Sequence, residues 1–269
     1  MEYNFITLTI NGHIARVELN RPEMANALNE KSWMELYDVF DYLDKKQEIR
    51  VITLSGKGKN FCGGIDISML QQLLHNPVDC EGRVREKLLE TILNMQEAVT
   101  KISSCRKPVI AIIQGACVGA GLDIIAACDM RYASDDAFFS IKEVDMGMVA
   151  DLGSIQRLPK LINDGVLREL AYTGRNVYAV EAKSLGLIND NYKEQSILNL
   201  EVQKIAETIT SKSPLAIRGI KENINYSRDH TVEEGLQFVA RWNAAMLLSN
   251  DIKEIFQSRL EKRHPQFKD

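Results

Sequence analysis

The sequence predicts an α/β fold with a layered interior, followed by a helical C-terminal region. Two short apolar runs, at residues 51–54 and 109–113, are typical of strands that are buried on both faces of a sheet. Each run leads through a glycine-rich turn into an apolar helical pattern. From residue 196 onward the pattern is almost wholly helical. We therefore expect an α/β core over residues 1–195 and a helical region over residues 196–269.

The N-terminal elements follow from alternation and spacing. Apolar and polar residues alternate on both sides of Asn11-Gly12, which predicts a β-hairpin with strands at 5–10 and 14–19 and a primed turn between them. Asn29 then precedes apolar residues at helical spacing, which predicts a helix with one face in the core.

The remaining elements are predicted in the same way. A polar stretch broken by proline and glycine, at 75–83, predicts a flexible connection, and Leu187-Ile188 predict a short strand. Apolar residues at helical spacing predict further helices at 67–74, 84–103, 122–128, 180–185, 196–211, 214–227, 231–249 and 251–261.

Composition limits the possible partners and cofactors. The chain has 269 residues, 45% of them hydrophobic, and a net charge of −4, which gives no argument for nucleic acid or an anionic membrane as a partner. It has no apolar run of transmembrane length, and its start resembles no signal or transit peptide, so we expect a cytoplasmic protein. The five cysteines form no Cys-x-x-Cys pair and the four histidines are isolated, so we expect free thiols and no metal site.

Two glycine-rich turns are candidates for a binding site. Gly119 and Gly121 flank Ala120 at the start of the helix that contains Asp123. Free N–H groups at such a helix start can hold an anion or a developing oxyanion. The segment 62–66 is a second turn of the same kind. Neither turn matches the P-loop or the dinucleotide-binding motif, so neither type of nucleotide site is expected.

Three acidic residues accompany these turns. Asp123 lies in the first turn of its helix, while Glu143 and Asp151 follow in a segment rich in apolar residues. A buried carboxylate is costly unless it is paired, protonated or used in function. Each acid alone also fits an ordinary role, as a charge that complements the helix dipole or as a solvated loop residue. The combination of three acids with an amide-rich turn favours an active site.

Motifs along essentially the whole chain resemble those of one known family. In chain order they are Asn20-Arg21-Pro22, Asn26-Ala27-Leu28, the stretch 61–67, the stretch 107–123, Cys128-Asp129-Met130-Arg131-Tyr132 and Gln156-Arg157-Leu158-Pro159. Together and in this order they are similar to the crotonase, or enoyl-CoA hydratase/isomerase, superfamily. The resemblance implies a spiral of ββα units followed by helices that mediate assembly into homotrimers, which commonly pair into hexamers. It also implies an acyl-CoA thioester as substrate and no metal or redox cofactor.

Within this superfamily the chain most resembles the Δ3,5-Δ2,4-dienoyl-CoA isomerases. These enzymes carry Asp, Glu and Asp at the positions of Asp123, Glu143 and Asp151, whereas true hydratases carry two glutamates and then glycine. The resemblance implies an isomerase that converts 3,5-dienoyl-CoA to 2,4-dienoyl-CoA in the β-oxidation of unsaturated fatty acids. A 2-enoyl-CoA hydratase and a non-catalytic acyl-CoA-binding member of the superfamily are the alternatives.

The resemblance also implies roles for the three acids. Glu143 is expected to act at the carbon beside the thioester and Asp151 at the distal carbon, with Asp123 as a supporting acid. Two carboxyl groups can serve as base and acid if their environments set their protonation states apart.

The two turns are expected to bind the thioester and the nucleotide end of coenzyme A. The backbone N–H groups of Ile65 and of Ala120 or Gly121 would form the oxyanion hole. Ala120 stands where the family usually has glycine, and its methyl group would be strained if its φ were positive. The nucleotide end is expected on the first turn, at residues Cys62, Gly63, Gly64, Ile65 and Asp66.

Overall fold

The centre of the fold is a sheet whose strands run parallel beyond an N-terminal hairpin. The computed structural model describes residues 3–69, 71 and 80–269. The strands of this part are β1 (Ile6–Asn11), β2 (Ile14–Leu19), β3 (Val51–Gly56), β4 (Val109–Ile113), β5 (Ala116–Val118), β6 (Met130–Ser134), β7 (Phe138–Ser140), β8 (Val177–Tyr178) and β9 (Asp190–Tyr192). The main sheet has the order β1-β2-β3-β4-β6-β9, and a smaller sheet has the order β5-β7-β8.

The predicted hairpin is confirmed. β1 and β2 pair antiparallel from Ile6↔Leu19 to Asn11↔Ile14, so Gly12 and His13 form the loop. Gly12 has a φ of 55°, the left-handed conformation that a primed turn requires at its first central residue.

Parallel pairing of β3 and β4 places the two glycine turns side by side. These strands pair from Ile52↔Val109 to Ser55↔Ile112, so both end at the same edge of the sheet. The chain after β3 forms the first turn, and the chain after β4 passes through β5 into the second. A single parallel bridge, Cys62↔Cys117, joins the two segments. The carboxyl edge of the sheet is where parallel α/β folds commonly bind ligands.

Helices cover both faces of the main sheet. On one face the helices α1 (Glu30–Lys45) and α2 (Glu81–Ser104) contribute buried apolar side chains to the large core. On the other face, Leu198, Val202 and Ala206 of α7 (Gln195–Thr210) pack against Val51 and Ile110. Burial on both faces is the reason why β3 and β4 are continuous apolar runs. Besides the helical residues 67–69 and 71, the α-helices of the described residues are α1 (Glu30–Lys45), α2 (Glu81–Ser104), α3 (Ala120–Ala127), α4 (Ser154–Arg157), α5 (Asp164–Thr173), α6 (Ala179–Ser184), α7 (Gln195–Thr210), α8 (Pro214–Ser227), α9 (Val232–Met246) and α10 (Asn250–Leu260).

Side-chain caps define several of these helices. Asn29 caps α1 by accepting a hydrogen bond from the Ser32 N–H, as its position before the helix suggests. Ser213 caps α8 in the same way, and Thr231 forms a capping box with Glu234 at the start of α9. The expected division of the chain at residue 195 stays a prediction. The first helix after this position, α7, packs on the sheet of the α/β core. None of the helices described is both long and apolar enough to cross a membrane.

Some elements differ from the sequence prediction. The strand expected at 187–188 is wrong: Leu187 and Ile188 are buried in a loop, and β9 begins only at Asp190, which pairs with Tyr132. Leu187 instead offers its carbonyl oxygen to the guanidinium of Arg131 at 2.8 Å. The long helix α2 begins three residues earlier than expected. Of the helix expected at 67–74, residues 67–69 and 71 are helical, and residues 70 and 72–74 lie outside the described residues, as do 75–79 of the expected connection.

Candidate active site

The two glycine turns lie directly against each other. The Cys62 N–H donates to the Ala116 carbonyl at 3.0 Å, and the Val118 N–H donates to the Cys62 carbonyl at 3.1 Å. Gly64 has a φ of 100° and Gly119 a φ of 53°, conformations that favour glycine. A Cβ at Gly64 would lie 3.3 Å from the Val118 carbonyl oxygen, a tight contact that adds to the strain of the positive φ.

Several N–H groups of the two adjoining turns are unused within the described residues. The Leu28 N–H binds the Gly64 carbonyl and the Asp66 N–H binds the Leu28 carbonyl, which fixes the backbone on both sides of Ile65. Within the described part of the chain, no hydrogen bond is formed by the N–H groups of Ile65, Ala120 or Gly121. The Ala120 nitrogen is 4.0 Å from where a Gly64 Cβ would be. The N–H group of Ile65, together with that of Ala120 or Gly121, therefore has the character of an oxyanion hole.

The second turn is a regular helix start. Ala120 is the first residue of α3 and is not among the residues with positive φ, so its methyl group causes no backbone strain. Gly121 packs so closely on the first turn that an added Cβ would lie 2.9 Å from both the Cβ and the carbonyl oxygen of Cys62. Gly121 is therefore needed for contact between the turns.

The other residues of the first turn are engaged within the protein. Cys62 is completely buried, and its thiol donates to the Asn26 carbonyl at 3.3 Å. The Gly63 N–H donates to the Ala25 carbonyl at 2.7 Å. Cys62 and Gly63 therefore shape the turn from inside.

Asp66 is also engaged, at the end of this turn. Its carboxylate accepts hydrogen bonds from Ser68 and from the Arg21 guanidinium, the latter at 2.9 Å. These bonds hold the pKa of Asp66 below its usual range. The ion pair ties the first turn to the segment before α1.

Asp123 is a nearly completely buried acid. Only 1% of it is exposed, and its Oδ1 accepts a hydrogen bond from the Ser154 N–H at 2.6 Å. Its Oδ2 is buried without a partner among the described residues. Burial raises the pKa of Asp123 to about 6, and the nearby charge of Asp151 adds to the effect.

Glu143 lies beside the second turn. It is part of a short 3-10 helix, Lys142–Met146, and its Oε1 would be 3.3 Å from a Cβ at Gly119. Its Oε2 is buried and has no partner within the described chain. Burial raises the pKa of Glu143 to about 7, and the charges of Asp123 and Asp151 contribute.

Asp151 is the most accessible of the three acids. It lies in the loop before α4, and its carbonyl oxygen accepts a hydrogen bond from Nε2 of Gln96 on α2 at 2.6 Å. Partial burial raises the pKa of its carboxyl group. It lines a cavity of about 650 Å³ bounded by α2, α4 and the end of α8.

The structure thus brings Asp123 and Glu143 to the second turn, with Asp151 in their vicinity. The charge of Asp151 acts on both Asp123 and Glu143, the charge of Asp123 acts on Glu143, and all three acids have raised pKa values. The arrangement can polarise a carbonyl oxygen and move protons to and from carbon at a neutral pH. Within the described residues, no three His, Cys, Asp or Glu side chains are arranged to hold a metal ion.

Comparison with known proteins identifies the family. The sequence profile described as enoyl-CoA hydratase/isomerase matches residues 9–269. The chain belongs to the enoyl-CoA hydratase/isomerase family.

Relatives within this family agree in sequence and in fold. The peroxisomal Delta(3,5)-Delta(2,4)-dienoyl-CoA isomerase of Arabidopsis thaliana is 47% identical, over 93% of this chain and 90% of that protein. The mitochondrial enzyme of the same name from Rattus norvegicus is 41% identical, over 97% and 82%. A crystal structure of enoyl-CoA hydratase from Bacillus anthracis superposes with a TM-score of 0.89 at 30% identity, covering 98% of this chain and 99% of that one. The crotonase-like α/β fold expected from the sequence is confirmed.

Two groups that orient the acids of this family member were not predicted from the sequence. Gln96 holds the backbone of Asp151, and the Ser154 N–H holds Asp123. Gln96 is 55 positions from Asp151, and Ser154 is 31 positions from Asp123. No local pattern signals such contacts, although Ser154 follows the glycine that opens α4.

Proposed function

We propose that the protein is an isomerase that converts 3,5-dienoyl-CoA thioesters to 2,4-dienoyl-CoA thioesters. The observation that carries this proposal is the cluster of Asp123, Glu143 and Asp151 beside the N–H groups of Ile65 and Ala120. Relatives that are 41% to 47% identical are named as isomerases of this specificity, which supports the proposal.

The proposed reaction consists of two proton transfers. One proton leaves C2, beside the thioester, and its electron pair is delocalised over the carbonyl oxygen and the two double bonds. The N–H groups of Ile65 and Ala120 stabilise the negative charge on this oxygen. A proton is then delivered to C6, which leaves double bonds at C2 and C4. The chemistry moves protons only, so we propose that no metal or redox cofactor takes part.

The environments of the acids support a division of roles. Glu143 lies next to the oxyanion turn, and a pKa of about 7 suits a group that removes a proton near neutral pH. Asp151 lines the cavity between α2, α4 and the end of α8. We propose that the far part of the acyl chain reaches this cavity and that Asp151 delivers the proton to C6. Asp123 is the supporting acid: its charge raises the pKa of Glu143. The nucleotide end of coenzyme A is proposed to lie along the outer side of the first turn, 62–66.

A 2-enoyl-CoA hydratase is the competing proposal, since solved structures with this fold carry that name. A hydratase needs two carboxylates that position one water molecule. Asp151 would then have no role, and Asp123 is one methylene group shorter than the glutamate that true hydratases carry. A non-catalytic acyl-CoA-binding protein would in turn leave three raised pKa values without a use.

The test is an ultraviolet assay of the purified protein with 3,5-dienoyl-CoA and, in parallel, with 2-enoyl-CoA. We expect the absorbance of a 2,4-dienoyl thioester to appear with the first substrate, little hydration of the second, and loss of isomerisation in Asp151→Asn. Rapid hydration that is indifferent to Asp151→Asn would favour the hydratase. Binding without turnover of either thioester would favour the non-catalytic alternative.

The C-terminal helices support a further proposal, a homotrimer or homohexamer. Large apolar side chains on α9 and α10 and in the turn between them are exposed in the single chain: Leu236, Leu247, Leu248, Phe256 and Leu260. Apolar surface of this kind marks sites of association. Sedimentation analysis of the wild type and of Leu248→Glu tests it, with a smaller species expected for the variant. The cytoplasmic location stays a prediction, and two of the named relatives are peroxisomal and mitochondrial proteins.

A further inference from the structure

The segment 151–154 links two of the three acids. Asp151 is itself one of them, and the Ser154 N–H donates to the carboxylate of Asp123 at 2.6 Å. A shift of this short segment would therefore move one carboxyl group and the donor that orients another.

Arg157 holds this segment against α2. Its Nη1 donates to the Leu152 carbonyl at 3.1 Å, and its Nη2 donates to the Thr100 hydroxyl at 3.1 Å. Gly153 has a φ of 124°, and a Cβ at that position would lie 1.7 Å from Nη1 of Arg157. The planar guanidinium thus packs against the glycine backbone and bridges the segment to the long helix.

The same helix also fixes the first residue of the segment directly. Gln96, one turn before Thr100 on α2, donates to the Asp151 carbonyl at 2.6 Å. The first two residues of the segment are therefore tied to α2, Asp151 directly through the Gln96 amide and Leu152 through the Arg157 guanidinium.

Arg157 also carries the positive charge that acts on Asp123. This charge lowers the pKa of Asp123, against the larger effect of burial, which raises it. Arg157 itself is partly buried and is repelled by Arg228, both of which lower its pKa. The titratable and charged groups that face Asp123 are Arg157, Asp151, Glu143, Cys62 and Cys117.

We propose that Arg157 is a positioning residue: its guanidinium fixes the segment 151–154 and thereby holds the carboxyl groups of Asp151 and Asp123 in their working positions. The effect on turnover rests on the proposed isomerase function. The effect on Asp123 does not depend on that function, because it rests on these contacts and on the charge of Arg157.

The first test compares kinetic constants of Arg157→Gln, Arg157→Lys and the wild type with 3,5-dienoyl-CoA. Because misplacement of a catalytic group by about 1 Å can cost about 10²-fold, we expect a loss of kcat on that order for Arg157→Gln, with KM nearly unchanged. Arg157→Lys keeps the charge but cannot form the two-pronged contact, so its kcat is restored only in part. The matched control is Arg168→Gln, on the exposed face of α5, with wild-type kcat expected.

The second test needs no substrate and follows thermal unfolding between pH 5 and pH 8. Without the Arg157 charge, the pKa of folded Asp123 rises further, so additional stability is lost as the pH rises through that higher pKa. The unfolding midpoint of Arg157→Gln should therefore fall further below that of the wild type at pH 8 than at pH 5. In an Asp123→Asn background, Arg157→Gln should lower the unfolding midpoint by the same amount at pH 8 and at pH 5.

Distinct outcomes separate the two proposals. A wild type that does not isomerise 3,5-dienoyl-CoA defeats the proposed function, while the unfolding cycle still decides whether Arg157 acts on Asp123. Wild-type kcat in Arg157→Gln, or a midpoint deficit that is equal at both pH values and in both backgrounds, overturns the inference. If Arg157→Gln does not fold, Thr100→Val removes only the Nη2 acceptor. A smaller loss of kcat in Thr100→Val supports the inference, and wild-type kcat contradicts it.

Discussion

The glycine turns and the acids meet at the candidate active site, yet their polar groups are satisfied to different degrees. In the turns, backbone hydrogen bonds fix the chain on both sides of Ile65, while the N–H groups of Ile65, Ala120 and Gly121 form no hydrogen bond within the described chain. In the acid cluster, Asp123 and Glu143 each have a buried oxygen without a partner in the described chain. The turn wall, residues 62–66 and 119–121, is thus rigid through satisfied backbone hydrogen bonds. The acid wall, Asp123, Glu143 and Asp151, holds its carboxyl groups in a buried environment that disfavours their charge.

This difference indicates how the site divides its work. Preorganised N–H donors stabilise developing charge without having to move, so rigidity serves the turns. Acids that exchange protons with carbon near neutral pH need raised pKa values, and burial raises them. The unfavourable burial of the acids is thus a requirement of their chemistry. The rigid surroundings keep the acids in place despite this cost.

The largest expected effect comes from the acid wall. Glu143→Gln removes the proposed base while it keeps the shape of the side chain, and we expect kcat to fall by about 10³-fold. The matched control is Asp145→Asn in the same 3-10 helix, an exposed acid that pairs with Lys142. Steady-state assays with 3,5-dienoyl-CoA should give wild-type rates for the control. Equal rates for both variants would remove Glu143 from the mechanism.

The turn wall should respond to a change of shape. Gly119→Ala places a methyl group at positive φ and 3.3 Å from Glu143, so we expect kcat/KM to fall by about 10²-fold. Gly12→Ala is the matched control, because Gly12 has a φ of 55° but open space around it.

Both variants should lose about 1 kcal/mol of unfolding free energy through the strained φ. Only Gly119→Ala should lose activity. Chemical denaturation measures the loss of unfolding free energy, and steady-state kinetics with 3,5-dienoyl-CoA measure the loss of activity. Equal activity of the two variants would show that the turn tolerates change.

Stability should reveal the cost of burying an acid. Because the pKa of folded Asp123 is raised to about 6, the ionised form destabilises the fold, and stability is lost as the pH rises from about 4 through 6. Asp123→Asn should therefore be about 2 kcal/mol more stable than the wild type at pH 8 and nearly equal to it at pH 4. Urea denaturation at both pH values measures this, with Asp164→Asn on the exposed start of α5 as the control. A constant difference at both pH values would contradict the account.

The smallest effect is expected at Ala120. Its φ is not positive, so Ala120→Gly relieves no strain and adds backbone freedom at the start of α3. We expect a loss of about 0.5 kcal/mol in unfolding free energy and kcat within about threefold of the wild type. A large rise in kcat would indicate instead that the methyl group obstructs the substrate.

Local patterns predicted the elements whose causes are local. The hairpin at Gly12, the strand Val109–Ile113 and the helix start at Ser213 follow from turn chemistry, burial on two faces and capping. The short strands of the smaller sheet and the strand Asp190–Tyr192 were not predicted, because pairing with distant strands defines them and two or three residues carry no pattern.

The same distinction applies to the site. The positions of the acids and glycines were accessible from spacing and family resemblance. The contacts of Gln96 and Arg157 join residues about 55 positions apart, so only the folded chain reveals them.

The central claim is that Glu143 acts at C2 and Asp151 at C6, and deuterium exchange tests it most directly. 3,5-Dienoyl-CoA is incubated with Asp151→Asn in D2O and followed by proton NMR. We expect the C2 protons to exchange while little 2,4-dienoyl product forms, because Glu143 still removes and returns a proton. The variant Glu143→Gln should show neither exchange nor product. Exchange at C2 that persists in Glu143→Gln and disappears in Asp151→Asn would contradict the assignment.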